Sequence, residues 1–577
     1  MKNRTEGALL VGGLAALLPA LGCAWAAVVN PWFLDAPLSF IVLALLPLAV
    51  VGAGLGALLG RGAGRLSVAP GIAAVVLVLA SALRPLPGPV DSKLLIFGID
   101  GASWAVMEPL TLPSIDRLSS EGSRAVLESR EPMFSPLLWT TMASGKVPDE
   151  HGIHGFHTQA DHCRAARLWD IAGAEGMSFG IYKWLVTWPP YTPPAGGFIV
   201  PAWLAAQPDT EPADLSFIKE LELSRRLKRR KVASVRSGPA LALAGIQRGL
   251  RWSTLRTAAT WSLRERVSRP GEAERAWKLN LLRVQMDRDV FIYALHRHQP
   301  QLATFTTYAT DALGHSHWGL DTQCAPEDCP PWASAVSDAY RQADAVLGEI
   351  LENLSPETAV MVVSDHGFRS ASEADAGRYF APLTERLRAR ITAEVGSVDI
   401  SRLGHKLTIG LLEADPVAQR ASLEAWLATL VQGSTGEPVY RWESLPDTER
   451  AIGLTLRDEM IDDEQLENDT VGGEPLSDYV KRTEGYSGEH DKDGIILVRA
   501  PGVAAGGQAP PVALLDVAPT ALTLLGLPAA EDMPGAVWLL PERPRVPSHD
   551  SALPTFSGEH GDGDVNEDML RALGYIE

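Results

Sequence analysis

The sequence predicts an α/β protein, a mostly parallel central sheet flanked by helices, preceded by three transmembrane helices. Three observations predict it. Short, almost wholly apolar runs recur between Lys93 and Val498, helical patterns fall between them, and long uncharged runs are confined to the region before Pro85.

The membrane part comes first. Gly7 to Val29 carries no charge and is long enough to cross about 30 Å of hydrocarbon. Leu38 to Gly60 is similar, and Leu66 to Leu83 is near the lower limit for a span. Pro47 and Pro70 are tolerable in membrane helices. A cleaved signal peptide is the alternative for the first run, but two further runs follow it. Lys2 and Arg4 precede the first run, and Arg61 and Arg65 separate the second from the third. The loop Asn30 to Pro37 carries Asp35 and no Lys or Arg. Basic residues stay inside, so the amino terminus is expected in the cytoplasm and everything after Pro85 outside, in a periplasm or at the cell surface. Arg84 to Pro89 reads as a stiff linker. The expected boundaries are an anchor with linker at 1–90, a main domain at 91–545 with insertions at about 204–285 and 373–481, and a tail at 546–577.

In the main domain, Lys93 to Ile99 has the apolar character of a strand buried on both faces. Leu302 to Tyr308, Ala359 to Val363 and Ile495 to Val498 look alike, and Pro330 to Leu354 reads as a helix. This alternation implies a parallel sheet, with ligands beyond the carboxyl ends of its strands.

Bulk composition narrows the function. A net charge of −19 speaks against a nucleic-acid partner, because phosphate backbones attract basic proteins. Four cysteines are too few for a disulfide scaffold or a cysteine-based zinc site. Cys324 and Cys329 share a Pro-rich loop and are placed to pair in an oxidising compartment. Cys23 lies in an apolar run, and Cys163 reads as a buried thiol.

Acid and imidazole recur at the predicted strand ends. Asp100-Gly101 ends the first strand, and Asp311-Ala312-Leu313-Gly314-His315 follows the strand ending near Tyr308. Ser364-Asp365-His366-Gly367 ends the next, and Gly488-Glu489-His490 precedes the last. Each has an ordinary reading: Asp-Gly is usually a turn, and a lone histidine usually sits in a core or on a surface. As a set they suit zinc and similar divalent ions. Six such groups can hold two ions if a further group bridges or completes them. Ser135-Pro136 opens the helical run Leu137 to Ser144. Serine as N-cap with proline next is a common helix start. The same geometry offers free N–H groups and a positive dipole end to a phosphate. A metal on the Ser135 oxygen would lower its pKa.

The stretch Leu95 to Gly101, then Leu112-Pro113-Ser114-Ile115-Asp116-Arg117-Leu118, Ser135 to Gly145 and His151-Gly152-Ile153 resembles the type I phosphodiesterase/nucleotide pyrophosphatase branch of the alkaline-phosphatase superfamily. The motifs at Asp311 to His315, Ser364 to Gly367, Gly488 to His490 and Asp516-Val517-Ala518-Pro519-Thr520 continue the resemblance in order, over roughly Ser92 to Pro541. It implies an alkaline-phosphatase-like catalytic domain over 91–545 and hydrolysis of phosphate esters, as a phosphodiesterase or phosphomonoesterase, through a phosphoserine. It implies one divalent ion on Asp311, His315 and His490. A second, on Asp100, Asp365 and His366, also contacts the nucleophile. Zinc is the implied ion, with manganese as the alternative. The family's nucleophile stands ten positions before the glycine of a Thr/Ser-Gly motif, here Gly145, which gives Ser135. Two departures leave the substrate class open: Pro136 follows the nucleophile directly, and serine replaces the commoner threonine. Ser135-Pro136-Leu137-Leu138 lacks the arginine pattern of the sulfatase relatives. Implied partners are a phosphate-ester substrate and membrane lipids. A transferase moving a phospho-group from a lipid donor and an inactive protein of the same fold are the alternatives.

Leu221 to Arg269 is dense in arginine and lysine, and its Leu250, Trp252, Leu255 and Trp261 suit one helix face. It reads as a helix lying on anionic lipid or as a cap over the active site. Glu373 to Lys481, with Asp458, Glu459, Asp462, Asp463 and Glu464, is expected to be a solvated lid or loop. Ser548 to Asp564 should be loose, and Glu567 to Glu577 a short closing helix.

Overall fold

The computed structural model describes residues 2–47, 49–50, 69–223, 238–319, 329–370, 378–403, 406–445, 448–484 and 488–556. The chain divides into two compact units. One comprises Met1–Val90, Lys231–Pro270 and Gln285–Arg297; the other comprises Asp91–Arg230, Gly271–Val284 and His298–Glu577.

In the first unit the helix Lys2–Val29 packs on the helix Ala69–Ala82. Their buried cluster is built from small side chains: Ala16, Ala20, Cys23 and Ala26 with Ala74 and Val78. Small residues let two helix backbones approach closely. Large apolar side chains point outward instead, among them Leu21, Trp25, Val28, Ile72, Val76 and Leu79. Among the described residues no helix is long and apolar enough to cross a membrane, so the three predicted spans are not found there. The side chains of residues 2–13 and all of residues 51–68 lie outside the described residues. What is described of the third run is the 14-residue helix Ala69–Ala82. At 1.5 Å per residue it is about 21 Å long, short of the roughly 30 Å of a hydrocarbon core.

The predicted apolar face of the basic insertion is turned inward within this same unit. Leu250 and Trp261 are buried, and Trp252 and Leu255 pack on the cluster of the amino-terminal helices. The helix Trp252–Ser268 is pinned at its start: the Trp252 indole donates to Ser39 at 2.9 Å, and Asp289 accepts from the Arg251 N–H at 3.0 Å and the Thr254 hydroxyl at 2.7 Å. The densest basic stretch, residues 224–237, lies outside the described residues.

The second unit holds the central sheet. Its strands are β1 (Leu94–Ile99), β2 (Ser123–Glu128), β3 (Phe179–Tyr182), β4 (Gly197–Val200), β5 (Leu302–Thr307) and β6 (Ala359–Val363). β7 (Gly367–Ser370), β8 (Arg378–Pro382), β9 (Val398–Leu403), β10 (Lys406–Leu411), β11 (Tyr440–Ser444) and β12 (Ala451–Leu456) follow. Next come the short β13 (Thr470–Val471) and β14 (Glu474–Pro475), then β15 (Val480–Glu484), β16 (Gly488–Asp491), β17 (Asp493–Arg499), β18 (Gly507–Gln508) and β19 (Val512–Ala513). The main sheet runs β18-β2-β17-β6-β1-β5-β3-β4, with β19 also on β2. β6, β1, β5, β3 and β4 are mutually parallel, and β17 is antiparallel to both neighbours. Every residue of β1, β5 and β6 is buried, as their unbroken apolar runs require when helices cover both faces. The predicted helix appears as Ala335–Glu352.

The acidic insertion differs from its expectation as a loop. It forms an antiparallel sheet β11-β12-β10-β9 covered by the helices Thr384–Val395 and Pro416–Leu427, with its own core of Leu387, Ile391, Ile400, Ile409, Leu423 and Ile452 among others. Its acidic run is a surface: Asp463 pairs with Arg482, Glu459 with Arg441, and Asp462 caps the helix Asp463–Asn468. The acidic run at 458–464 drew the loop reading, but the segment around it is rich in apolar residues that build this core. The paired strands β8–β15 and β7–β16 connect it to the sheet. It is also clasped to the helix Pro148–His151 and the loop after it. His157 Nδ1 meets Asp399 at 2.7 Å, and Asp149 accepts from Thr448 at 2.7 Å and from the Glu449 N–H at 2.9 Å. Burial opposes the charge on His157, but Asp399 outweighs it and raises the pKa. A raised folded pKa stabilises below the unfolded value near 6.5 and is lost as pH rises through the folded value. Asp399→Asn should therefore weaken the clasp by about 0.5–1 kcal/mol at pH 6 and by less at pH 9. Limited proteolysis of the insertion at the two pH values checks this.

Cys329 is disulfide-bonded, and Cys23 and Cys163 are free and buried. Cys324 and the predicted closing helix lie outside the described residues.

Candidate metal centre

Strand β1 delivers Asp100 to its carboxyl end, where the residue is buried. The chain then turns at Gly101, whose φ of +68° suits glycine. The turn reading and the ligand reading of Asp100-Gly101 thus hold together. Trp139 donates its indole N–H to Asp100 Oδ2 at 2.9 Å.

Asp311 and His315 sit on the helix Ala309–His317 that follows β5, one turn apart and so on one face. Asp365 and His366 lie between β6 and β7, and His490 lies on β16, which pairs with β7. The sequence places His490 ahead of the strand at Ile495, not on a strand of its own. The pairing sets His490 opposite Phe368 and brings its ring to 3.6 Å from that of His366, stacked.

All six groups converge. His366 Nε2 lies 3.5 Å from Asp365 Oδ2, 3.6 Å from Asp100 Oδ1 and 4.0 Å from Asp311 Oδ1. His490 Nε2 lies 3.2 Å from Asp311 Oδ1 and 3.1 Å from His315 Nε2, and His315 Nε2 lies 3.3 Å from Asp311 Oδ1. Two overlapping triads result, Asp311–His366–His490 and Asp100–Asp365–His366, each with its donor atoms within 4.8 Å of one another. The Asp311–His315–His490 group implied by the family resemblance is also assembled. His366 is the group common to both triads.

The protonation pattern suits cations. His366 Nδ1 donates to the Gly367 carbonyl at 2.9 Å, and His490 Nδ1 to the Met133 carbonyl at 2.9 Å. A carbonyl only accepts, so each ring carries its proton on Nδ1 and turns the Nε2 lone pair inward. Burial and then the neighbouring His366 push His490 down to about 3, so it is neutral at ordinary pH. Burial, followed by the charges of Asp365 and Asp311, pushes Asp100 up; burial and then Asp311 push Asp365 up. Burial opposes Asp311 as well, but the His315 and His490 imidazoles hold it well below the usual carboxylate range. Asp100 Oδ1, Asp365 Oδ2 and His366 Nε2 are buried with no hydrogen-bond partner among the described residues. Orphaned lone pairs of this kind are costly unless a cation meets them. The residues present fit a divalent metal site.

Ser135 opens the helix Ser135–Ser144 and is buried. The sequence cast it as N-cap. The N-cap is Phe134 instead, with extended backbone, and no side chain caps the helix. The Ser135 hydroxyl is therefore not consumed by capping. It lies beside the Asp365 carboxylate and favours its charged form. Because Met133 O holds His490, the segment carrying Ser135 is tied to the metal cluster from both sides.

Sequence reasoning missed the supports. The Phe368 ring packs 5.0 Å from His315, 5.3 Å from His490 and 6.0 Å from His366, between centroids. A Cβ at Gly101, Gly314 or Gly488 would come within 2.9, 2.8 and 3.0 Å of that ring. Glycines of three separate motifs thus leave room for one aromatic wedge, a relation no single motif reveals. Phe368→Leu should cost about 1–2 kcal/mol of stability. It should also weaken metal binding about tenfold by loosening the histidines. Denaturant unfolding and a metal titration measure the two effects. Beside the cluster, Tyr308 donates to the Lys183 carbonyl at 2.5 Å. The Lys183 ammonium pairs with the half-buried Glu222, which Lys219 also meets at 3.0 Å. Burial opposes the Glu222 charge, but the two lysines hold its pKa down at about 2.

No curated protein matches the chain. The family model described as type I phosphodiesterase / nucleotide pyrophosphatase matches residues 94–388, just over half of the chain. The match spans β1 to the first helix of the insertion and includes Asp100, Ser135, Asp311, His315, Asp365 and His366. This chain belongs to the type I phosphodiesterase/nucleotide pyrophosphatase family, a family of phosphoric ester hydrolases.

Proposed function

We propose that the protein is a two-metal hydrolase of phosphate esters, held at a membrane, with Ser135 as nucleophile. The observation that carries this reading is the pair of buried triads sharing His366, with the Ser135 hydroxyl beside Asp365 and favouring its charge. Asp100, Asp365, His366 and Ser135 would hold one divalent ion; Asp311, His315 and His490 would hold the other. Zinc suits this mixture of imidazole and carboxylate, and manganese is the alternative. When bound, such ions supply charge neutralisation to phosphate oxygens and acidify a coordinated hydroxyl.

The chain's own residues then act as follows. The Ser135 oxygen attacks phosphorus in line, the bond to the leaving alcohol breaks, and a phosphoserine forms. Water attacks that phosphorus, the bond to Ser135 Oγ breaks, and phosphate or a phosphomonoester leaves. The open N–H groups at the start of the helix Ser135–Ser144 favour an anion beside the nucleophile. Trp139 and Met133 hold Asp100 and His490 in place, so little reorganisation accompanies reaction. The protein purified with zinc or manganese should hydrolyse nitrophenyl phosphodiesters or nitrophenyl phosphate. Failure on both, with metal bound, would discard the hydrolase reading.

The outward apolar face of the first unit supports anchoring. Large side chains outside and small ones at the helix contact suit helices solvated by lipid. The full chain should sediment with membranes and resist carbonate extraction, and its release by carbonate would argue against an anchor. The catalytic domain would then face a periplasm or the cell surface. The same apolar face favours, as a second reading, a transferase that draws a phospho-group from a lipid donor. Analysis of products from a phospholipid substrate, with and without an acceptor alcohol, separates the two.

A further inference from the structure

The helix Trp252–Ser268 carries apolar side chains on two opposite faces. Thr254 and Trp261 face inward and are buried. Leu263 and Val267 are 64% and 74% exposed. These two stand one turn apart, and Arg256 is two turns before Leu263, so the three share one outward face. Arg264, Arg266 and Arg269 flank that face, and Arg256, Arg264, Arg266 and Arg269 are all exposed. Within a protein of net charge −19 this is a local cationic patch with apolar side chains at its centre.

We infer that this outward face of Trp252–Ser268 lies in the headgroup region of an anionic phospholipid bilayer, with Leu263 and Val267 dipping below the arginines. The inference rests on the proposed membrane anchoring and goes beyond it by naming the lipid chemistry. Two observations commit the face to lipid. The first is charge: an arginine-ringed apolar strip matches anionic headgroups above acyl chains. The second is continuity. The helix starts against the loop that ends the helix Lys2–Val29: the Trp252 N–H donates to the Phe33 carbonyl at 2.8 Å, the Ser253 N–H to Asp35 at 3.0 Å, and Asn30 to the Leu250 carbonyl at 3.0 Å. The outward apolar residues Leu21, Trp25 and Val28 lead up to this junction. Trp25, exposed at this end, is a residue type that settles at the level of headgroups.

The test uses the full chain in nanodiscs of either phosphatidylcholine alone or phosphatidylcholine with 30% phosphatidylglycerol (a fraction of about that size gives the anionic surface potential that draws arginine). A nitroxide is attached at Val267→Cys or, as a reference on the proposed anchor, at Val76→Cys, in a Cys23→Ser/Cys163→Ser background. Collision with oxygen and with a water-soluble nickel chelate reads the environment. The oxygen-to-nickel ratio at 267 should rise several-fold on adding phosphatidylglycerol. It should fall back when Arg256, Arg264 and Arg266 are changed to Glu. A water-like ratio at 267 in both lipids, with 76 in lipid, overturns this inference and leaves the anchor standing. Water-like ratios at both positions overturn both.

Discussion

Ser135→Ala is expected to lower turnover on any phosphate ester the protein accepts by at least about a thousandfold, equivalent to roughly 4 kcal/mol of barrier. The loss should fall on kcat, because the bond from the serine oxygen to phosphorus forms only along the reaction path. Metal content should survive, since Asp100, Asp365 and His366 remain. The substitution deletes one buried hydroxyl that caps nothing, so the fold should be nearly unaffected. Initial rates on a nitrophenyl ester with elemental analysis of the same sample give both readouts. Near-normal turnover with metal present would remove Ser135 from the mechanism.

Asp365→Asn is expected to abolish turnover and yet to stabilise the metal-free protein. Three carboxylates, Asp100, Asp311 and Asp365, are buried together, and burial with mutual repulsion raises two of them. A carboxyl whose folded pKa is raised contributes stability below its unfolded value near 4, and that contribution is lost as pH rises through the folded value. The stripped protein should therefore weaken from acid towards neutral pH. Neutralising one carboxylate should recover on the order of 1–3 kcal/mol at pH 7. The metal-loaded protein should behave oppositely, because its ligands must be deprotonated and binding is lost in acid. Thermal unfolding of wild type and Asp365→Asn, each with and without chelator, gives four curves. Stripped wild type as stable as loaded wild type, with Asp365→Asn less stable than either, would refute a cation-dependent cluster.

The clustering also explains what a sequence motif can and cannot convey. Asp-x-x-Gly-His is legible because a helix places positions i and i+4 on one face whatever surrounds it. Gly-x-His is less so. His490 acts from a strand whose partner lies more than a hundred residues earlier, across a folded insertion whose acidic run reads as solvated charge. The reading of Ser135 as N-cap was a local inference, and it failed locally: Phe134 takes that position.

By itself the sequence determined the α/β class, the parallel strands β1, β5 and β6, the residues of the cluster and the membership of the family. It did so because apolar runs and helical spacing are local properties, and the motifs keep their order along the chain. Tertiary structure alone decided that His366 joins both triads, that three motif glycines accommodate the Phe368 ring, that Trp139 and Met133 orient the cluster, and that the 373–481 segment has a core. Those depend on distances between residues remote in the chain, which strand register and side-chain packing fix only once the sheet is assembled.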